Sequence, residues 1–294
     1  MIKYNELLKK YGIKPISYLK KGRSLIINTK DKKYVLKENE KKEIYDYLNN
    51  RKFKEIPKIL ILDNDYLIYE YIDEIKVPEE QKLEELIKVV ATLHKKTAYY
   101  EKIETAFNKE IYEDLKNNIE YLKSYYEDII ALIDKKEFMS PSDYLFARNY
   151  TVIINSLKYA SLEIDKWYQK VKDSDNRKVV VLHGNLNLDH FISGRLISFR
   201  KSKFDSPIFD LLTLFRTYGN KYDFKNNLKL YASIFPIEEE ETMLLNILMM
   251  MPPKFEFKGT EYDMCEILAE KISLLHEASK IVLPNQFENW KKNN

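Results

Sequence analysis

The chain has 294 residues, of which 45% are hydrophobic and 32% are charged, and its formal net charge at pH 7 is +3. This composition is typical of a globular protein and argues against disorder, and the small net charge excludes a global field that would attract nucleic acid. A single cysteine, Cys265, excludes an internal disulfide framework and a cysteine-based zinc site.

The sequence has no feature that indicates a membrane protein. Its N-terminal segment is amphipathic and rich in lysine, without the apolar core of a signal peptide. The longest apolar stretch, MLLNILMMM at 243–251, is too short to span a bilayer. We therefore expect a cytoplasmic protein with no membrane contact.

The N-terminal part predicts a β-rich lobe over residues 1–75. After a short helix at 3–11, two β-rich runs at 24–29 and 33–37 predict a hairpin. Apolar residues at helical spacing predict a helix within 38–53. Strands at 58–62 and 66–72, joined by an Asp-Asn-Asp turn, complete this lobe.

The remaining chain, 76–294, predicts a helical lobe. A helix at 79–97 has one apolar face. Two tyrosine-rich helical patterns at about 107–135 and 141–172 form a helical insert over about 105–172, in which the Ser140-Pro141 pair begins the second helix. We interpret these tyrosines as helix packing and not as a base-stacking platform, so we expect no nucleic-acid partner.

Residues 179–212, VVVLHGNLNLDHFISGRLISFRKSKFDSPIFDLL, predict a strand, a short loop, a hairpin and the start of an apolar helix. The whole chain contains only six glycines, and none are clustered as in a phosphate-cradling loop. We therefore expect that any nucleotide is held loosely.

In this order, the motifs resemble the kinase-like fold of aminoglycoside phosphotransferases and choline kinases. Within that group, the chain looks most similar to spore-coat kinase-like proteins of low-GC Gram-positive bacteria. The resemblance implies an α+β, bilobal protein-kinase-like fold with a small β-rich N-terminal lobe and a larger helical C-terminal lobe.

The resemblance also implies a nucleotide site. Lys37 falls at the position of the lysine that contacts nucleotide phosphates, and Glu43 is its expected partner, with Glu40 as a rival. The hinge that meets the adenine corresponds to residues 69–72, and the expected nucleotide contacts are Glu70, Tyr71 and Ile72.

The sequence departs from the family at three positions that carry the chemistry. The family's loop reads His-Gly-Asp with Asn five residues later, whereas this chain has Asn185 and His190. The family's metal-binding aspartate corresponds to Ser198. We expect no catalytic residue at these degenerate positions and no metal site, and we expect structural roles for His183 and for Asp210, which in the family braces the loop.

Two functions remain open at this stage. The first is a catalytically inactive kinase-like protein, a pseudokinase, that acts as a binding or scaffold module for an unidentified protein partner, in the cytoplasm or in the spore coat. The second is an ATP-dependent small-molecule phosphotransferase with an altered metal site, for which Asp189 or Asp205 would supply a carboxylate. We expect any ATP binding to be weak and to lack a normal magnesium site.

Overall fold

The computed structural model describes residues 2–38, 40–63 and 65–283. These residues form two compact units. The first unit contains the chain up to Ala98 together with Val180–Asp205, and the second contains Tyr99–Val179 and the chain from Ser206 onward. The predicted lobe boundary at residue 75 stays a prediction, because the units group the helix at 79–97 and the segment 180–205 with the N-terminal sheet.

The strands, in chain order, are β1 (Ser17–Lys21), β2 (Ser24–Asn28), β3 (Lys33–Glu38), β4 (Ile59–Leu62), β5 (Tyr66–Glu70), β6 (Tyr99–Lys102), β7 (Asn176–Leu182), β8 (Phe191–Ile192), β9 (Arg195–Leu196) and β10 (Lys203–Asp205). The α-helices are α1 (Ile2–Lys10), α2 (Lys42–Asn50), α3 (Glu79–Thr97), α4 (Thr105–Ile133), α5 (Pro141–Val171), α6 (Ile208–Tyr218), α7 (Phe224–Ile234), α8 (Glu239–Met250) and α9 (Glu261–Val282). Short 3-10 turns occupy Leu188–His190 and Phe199–Lys201.

An antiparallel sheet with the strand order β1-β2-β3-β5-β4 organises the first unit. The predicted β2–β3 hairpin and the strands near 58–62 and 66–72 are confirmed. Strand β1 was not predicted, because most of its side chains are exposed and it lacks an apolar alternation. A turn of only two residues, Gly22 and Arg23, joins it to β2, and Gly22 adopts φ +58.

The core of the first unit lies on both sides of this sheet. Buried aliphatic side chains from α1, β2, β3, β4 and β5 pack together on one side: Leu8, Ile27, Leu36, Ile61 and Ile68. The apolar face predicted for α3 is confirmed, because all five of its members are at most 1% exposed: Leu83, Leu86, Ile87, Val90 and Leu93. Burial of such a continuous stripe is the main stabilising contribution to an amphipathic helix.

Segment 180–205 completes the first unit. The end of β7 pairs antiparallel with β10, and β8 pairs with β9. The backbone N–H of Leu196 donates to the carbonyl of Glu55, and Lys41 Nζ donates to the carbonyl of Ser202 at 2.6 Å. These bonds fix the segment against the residues that precede α2 and β4.

Helix α5 is the centre of the second unit and packs against α4, α8 and α9. It begins as predicted at Pro141, where Ser140 and Asp143 form a reciprocal capping box. The tyrosines of the insert divide into two groups, since Tyr126 is fully buried whereas Tyr121 and Tyr144 are 51% and 60% exposed. The packing interpretation fits Tyr126, and for the exposed Tyr121 and Tyr144 it stays a prediction.

The described residues form an α+β fold, with a small antiparallel sheet in the N-terminal region and a larger helical C-terminal part, as the sequence predicted. Among the helices within these residues, none is long and apolar enough to cross a bilayer.

We predict that Gly184→Ala destabilises the protein more than Gly194→Ala. Both glycines have positive φ, +71 and +79, so alanine at either position incurs a left-handed strain of about 1–2 kcal/mol. A Cβ at Gly184 would also collide with the backbone carbonyl of Lys201, whereas Gly194 faces open space. The free energy of unfolding, measured by denaturant titration, distinguishes the two; equal losses would contradict the close approach at Gly184.

Candidate functional site

The candidate site lies within the first unit and is built around Lys37. This residue is on the central strand β3, opposite Ser24 of β2 and Leu67 of β5, and is only 6% exposed. Its Nζ donates a hydrogen bond to the hydroxyl of Ser198 and lies 5.8 Å from the ring centroid of Tyr69. Burial lowers the pKa of Lys37, and the charge of Glu40 partly opposes this effect.

The carboxylate that acts on Lys37 is Glu40 and not the expected Glu43. Glu40 is 8% exposed and accepts a hydrogen bond from the Tyr45 hydroxyl at 3.2 Å, whereas Glu43 is exposed on α2. Burial raises the pKa of Glu40, against the opposing effect of Lys37 and smaller contributions that include Arg200. Burial therefore favours the neutral form of each group, and the opposite charge of its partner favours the ionised form.

The third partner, Ser198, has an unusual backbone. Its φ and ψ are +73° and +59°, the left-handed region that is uncommon for a residue with a Cβ. The following residue, Phe199, is fully buried, with its ring 5.5 Å from Tyr45 and 4.8 Å from His183. Packing on both sides of Phe199 therefore holds Ser198 in this conformation, with its hydroxyl directed to Lys37.

Asn185 and His190 are bonded to each other across the loop. The Nδ1 of His190 lies 2.8 Å from the backbone carbonyl of Asn185, which can only accept, so Nδ1 carries the proton. The side-chain Nδ2 of Asn185 is 3.1 Å from the same Nδ1; with a proton on Nδ1, this contact is a hydrogen bond only if the amide is turned so that its oxygen faces the N–H. In the neutral imidazole, this tautomer leaves the lone pair on Nε2.

His183 is fully buried beneath this loop. Its Nε2 lies 2.9 Å from the carbonyl of Ile197, to which it donates. The backbone N–H of Ile197 in turn donates to the carbonyl of His190 at 3.0 Å. Asp210, at the start of α6, is 1% exposed in the second unit. Structural roles for His183 and Asp210 stay predictions.

Two of the residues expected at the adenine hinge, Glu70 and Tyr71, contact lysine side chains. Glu70 pairs with Lys32 at 2.9 Å and with Lys58 at 3.7 Å, and the hydrogen bond from Lys32 lowers the pKa of this carboxyl. The ring of Tyr71 lies 5.6 Å from Lys33 Nζ, and Ile72 is half-buried. Glu70 and Tyr71 therefore interact with the β2–β3 turn, and their predicted contact with an adenine is untested.

The donor set does not fit magnesium. Magnesium binds through carboxylate anchors and retained waters, whereas Asn185, His190 and Ser198 supply an amide, an imidazole and a hydroxyl. Of the two aspartates that could compensate, Asp189 is exposed and Asp205 pairs with Lys203 at 2.6 Å. Within the described ranges, no group of three or more His, Cys, Asp or Glu residues is placed to hold a metal ion.

Solved structures of similar fold include several phosphotransferases. An aminoglycoside phosphotransferase from Alicyclobacillus acidocaldarius matches 94% of this chain and 93% of its own length, with a TM-score of 0.69 and 10% identity. An AMP-bound spectinomycin phosphotransferase matches 96% and 93%, with a TM-score of 0.53 and 14% identity. The choline kinase LicA from Streptococcus pneumoniae matches 99% and 97%, with a TM-score of 0.50 and 16% identity. No protein-family model and no curated protein sequence matches the chain.

The chain therefore has the kinase-like fold that aminoglycoside phosphotransferases and choline kinases share, as the sequence resemblance implied. The structure brings together Lys37 and Ser198, and it places Glu40 close enough to influence Lys37. Sequence reasoning missed Tyr45 and Arg200 as neighbours of this site. The only signal for Tyr45 was its position beside Ile44 on the apolar face of α2, and Arg200 had none.

We predict that Glu40→Gln lowers the pKa of Lys37 further. The Glu40 carboxylate raises the pKa of Lys37 because it favours the ammonium form. Its removal leaves burial, which lowers that pKa, without this opposition. Titration of Lys37 by NMR of isotopically labelled lysine side chains, with Lys37→Met to assign the signal, measures the change. Glu43→Gln is the matched control and should leave the pKa of Lys37 unchanged; the opposite pattern would restore Glu43 as the partner.

We also predict that Asp210→Ala lowers the melting temperature more than Asp189→Ala. Asp210 is buried, so truncating it removes an acceptor and leaves its donors unsatisfied, at about 1–3 kcal/mol. Asp189 is exposed, so water can replace its carboxylate as a hydrogen-bond acceptor in the variant. Thermal melting of both variants tests this, and equal, negligible shifts would show that Asp210 has no supporting role.

Proposed function

We propose that this chain is a kinase-like protein without phosphotransferase activity that uses its first-unit site to bind a ligand. The observation that carries the proposal is the hydrogen bond from Lys37 to the Ser198 hydroxyl. In the family that the sequence resembles, the residue at position 198 is a metal-binding aspartate. Here the lysine contacts a neutral group at that position.

Phosphoryl transfer has three requirements that can be compared with the residues of this site. The reaction depends on magnesium that bridges the phosphates, on a positioned acceptor and on neutralisation of developing charge. Ser198 is a poor anchor for magnesium, and Asn185 can position an acceptor hydroxyl but cannot take its proton. Loss of a general base alone typically costs about 10²–10⁴ in rate.

The ligand that this site suits best is the phosphate end of a nucleotide. The ammonium form of Lys37 supplies a positive charge on the central strand of the sheet. The similar spectinomycin phosphotransferase has been solved with AMP. Binding should be weak, because a phosphate must displace the Ser198 hydroxyl from Lys37 and meets the repulsion of Glu40.

The competing function is an ATP-dependent small-molecule phosphotransferase with a rearranged metal site. It requires a carboxylate from Asp189 or Asp205 beside the transferring phosphate. The exposure of Asp189 and the ion pair of Asp205 with Lys203 disfavour it.

A protein partner is the second part of the proposal. The rings of Tyr121 and Tyr144 in the helical insert are exposed, and tyrosine is enriched at protein–protein interfaces. The cytoplasm, or an assembled layer such as the spore coat, is the setting that the sequence resemblance implies.

We predict that ATP raises the melting temperature only at high concentration and that magnesium does not increase the effect. Free ligand at one hundred times its Kd adds about 2.7 kcal/mol of apparent stability, which a thermal-shift titration detects. Lys37→Met should abolish the shift. Lys20→Met is the matched control, because Lys20 is an exposed lysine on strand β1 of the same sheet, and should retain it.

The double variant Asn185→Asp with Ser198→Asp should create a magnesium-dependent shift, because it returns two carboxylates to the site. Transfer or hydrolysis of the γ-phosphate by the unmodified protein with magnesium, abolished by Asp189→Ala or Asp205→Ala, would contradict the proposed function and support the phosphotransferase.

A further inference from the structure

Ser198 and Lys37 form a contact whose chemistry extends beyond ligand binding. A serine hydroxyl is a weak nucleophile unless a base accepts its proton, and a neutral lysine amine can serve as that base. In the structure Lys37 Nζ donates to Ser198 Oγ, and loss of a proton from the ammonium reverses this bond, so that the hydroxyl donates to the neutral amine. Lys37 is buried whereas Ser198 is only half-buried, so the base is desolvated and the hydroxyl remains open to a reactant.

The backbone around Ser198 fixes the direction of its hydroxyl. The left-handed conformation at φ +73 places Ser198 at a sharp turn between β9 and the 3-10 turn that follows. The hydrogen bond from Ile197 N–H to the His190 carbonyl and the burial of Phe199 hold both sides of this turn. A nucleophile held in one orientation loses little entropy when it reacts.

The groups that face Lys37 determine how readily its ammonium loses a proton. The Tyr69 ring on β5 and the carboxyl of Glu40, between β3 and α2, act on it from two sides. Burial lowers the pKa of Lys37 more than Glu40 raises it. Arg200 and His190 also act on Glu40 and favour its charge. Tyr69 remains a neutral phenol, since burial raises its pKa.

We propose that Ser198 and Lys37 are a nucleophile and its base, and that the pair accepts an acyl group from an activated ester or thioester. Ser198 Oγ forms a bond to the acyl carbon while the bond from that carbon to the leaving oxygen or sulfur breaks. The hydroxyl proton passes to Lys37 Nζ and then to the leaving alkoxide or thiolate. The products are an acyl-serine and an alcohol or thiol.

An acyl acceptor fits these residues better than a phosphoryl acceptor. Attack on a carbonyl carbon requires a nucleophile and a base, and it does not require a divalent metal. The neutral side chains of Asn185 and Ser198, which make a poor magnesium site, are compatible with it. The step uses neither nucleotide nor metal, so it stands or falls independently of the proposed nucleotide binding.

The test uses the full chain and p-nitrophenyl acetate as the probe. We expect a burst of p-nitrophenolate, a mass increase of one acetyl group on the intact protein, and the acetyl group on Ser198 in peptide mapping. Ser198→Ala should abolish the adduct. Lys37→Arg, which keeps the positive charge but cannot accept the proton at ordinary pH, should slow acylation by about 10²–10⁴.

Ser193→Ala is the matched control. Ser193 is also a serine with positive φ, +45, but its hydroxyl donates to the carbonyl of Asp73 at 2.8 Å and has no lysine base, so this variant should retain the adduct. The acylation rate of the unmodified protein should rise with pH as Lys37 loses its proton, with a midpoint below that of an ordinary lysine.

Several results would overturn the proposal: no adduct, an acetyl group on Lys37 itself, labelling of Ser193 to the same extent as Ser198, or an unchanged rate in Lys37→Arg. Melting curves identify a variant that has failed to fold. In that case, the site of labelling and the pH profile of the unmodified protein show whether Ser198 reacts and whether Lys37 is its base. An ATP titration on the same sample separates this outcome from that of the proposed function.

Discussion

The burial of the Lys37 ammonium is the constraint on which the candidate site depends. A buried charge is costly unless neighbouring groups bond to it or neutralise it, and here a hydroxyl and a nearby carboxyl share that role. The charge of another buried lysine, Lys178 in the second unit, is stabilised in a different way. It lies 2.6 Å from Glu241 and 3.3 Å from Glu238, so it is neutralised by direct ion pairs.

The two lysines therefore differ in how their charge is stabilised. Direct ion pairs hold a lysine as a structural cation, whereas a hydroxyl partner stabilises the charge only weakly. The cost of burial at Lys37 therefore appears as a lowered pKa. The same weak neutralisation allows the lysine either to attract an anion or to accept a proton, and it underlies both proposals.

The sequence predicted elements with strong local signals and missed those determined by tertiary contacts. The apolar spacing in α3 and the Ser140-Pro141 start of α5 gave both helices correctly. The position of Glu40 could not be read in the same way. The predicted helix covered 38–53, but α2 begins at Lys42, so Glu40 precedes the helix and helical spacing does not set its direction. The left-handed backbone of Ser198 had no sequence signal either, because packing of the following aromatic ring maintains it.

The two-residue turn between β1 and β2 has a consequence for how long any ligand stays bound. Ser24 directly follows this turn and lies opposite Lys37, so the turn is at the end of β2 that pairs with the lysine. Gly22 and Arg23 are too few to form a flap. A ligand at Lys37 lacks a covering loop from this hairpin, and its escape does not wait for such a loop to open. Dissociation should consequently be fast, with exchange between the free and bound states limited by the strength of the direct contacts.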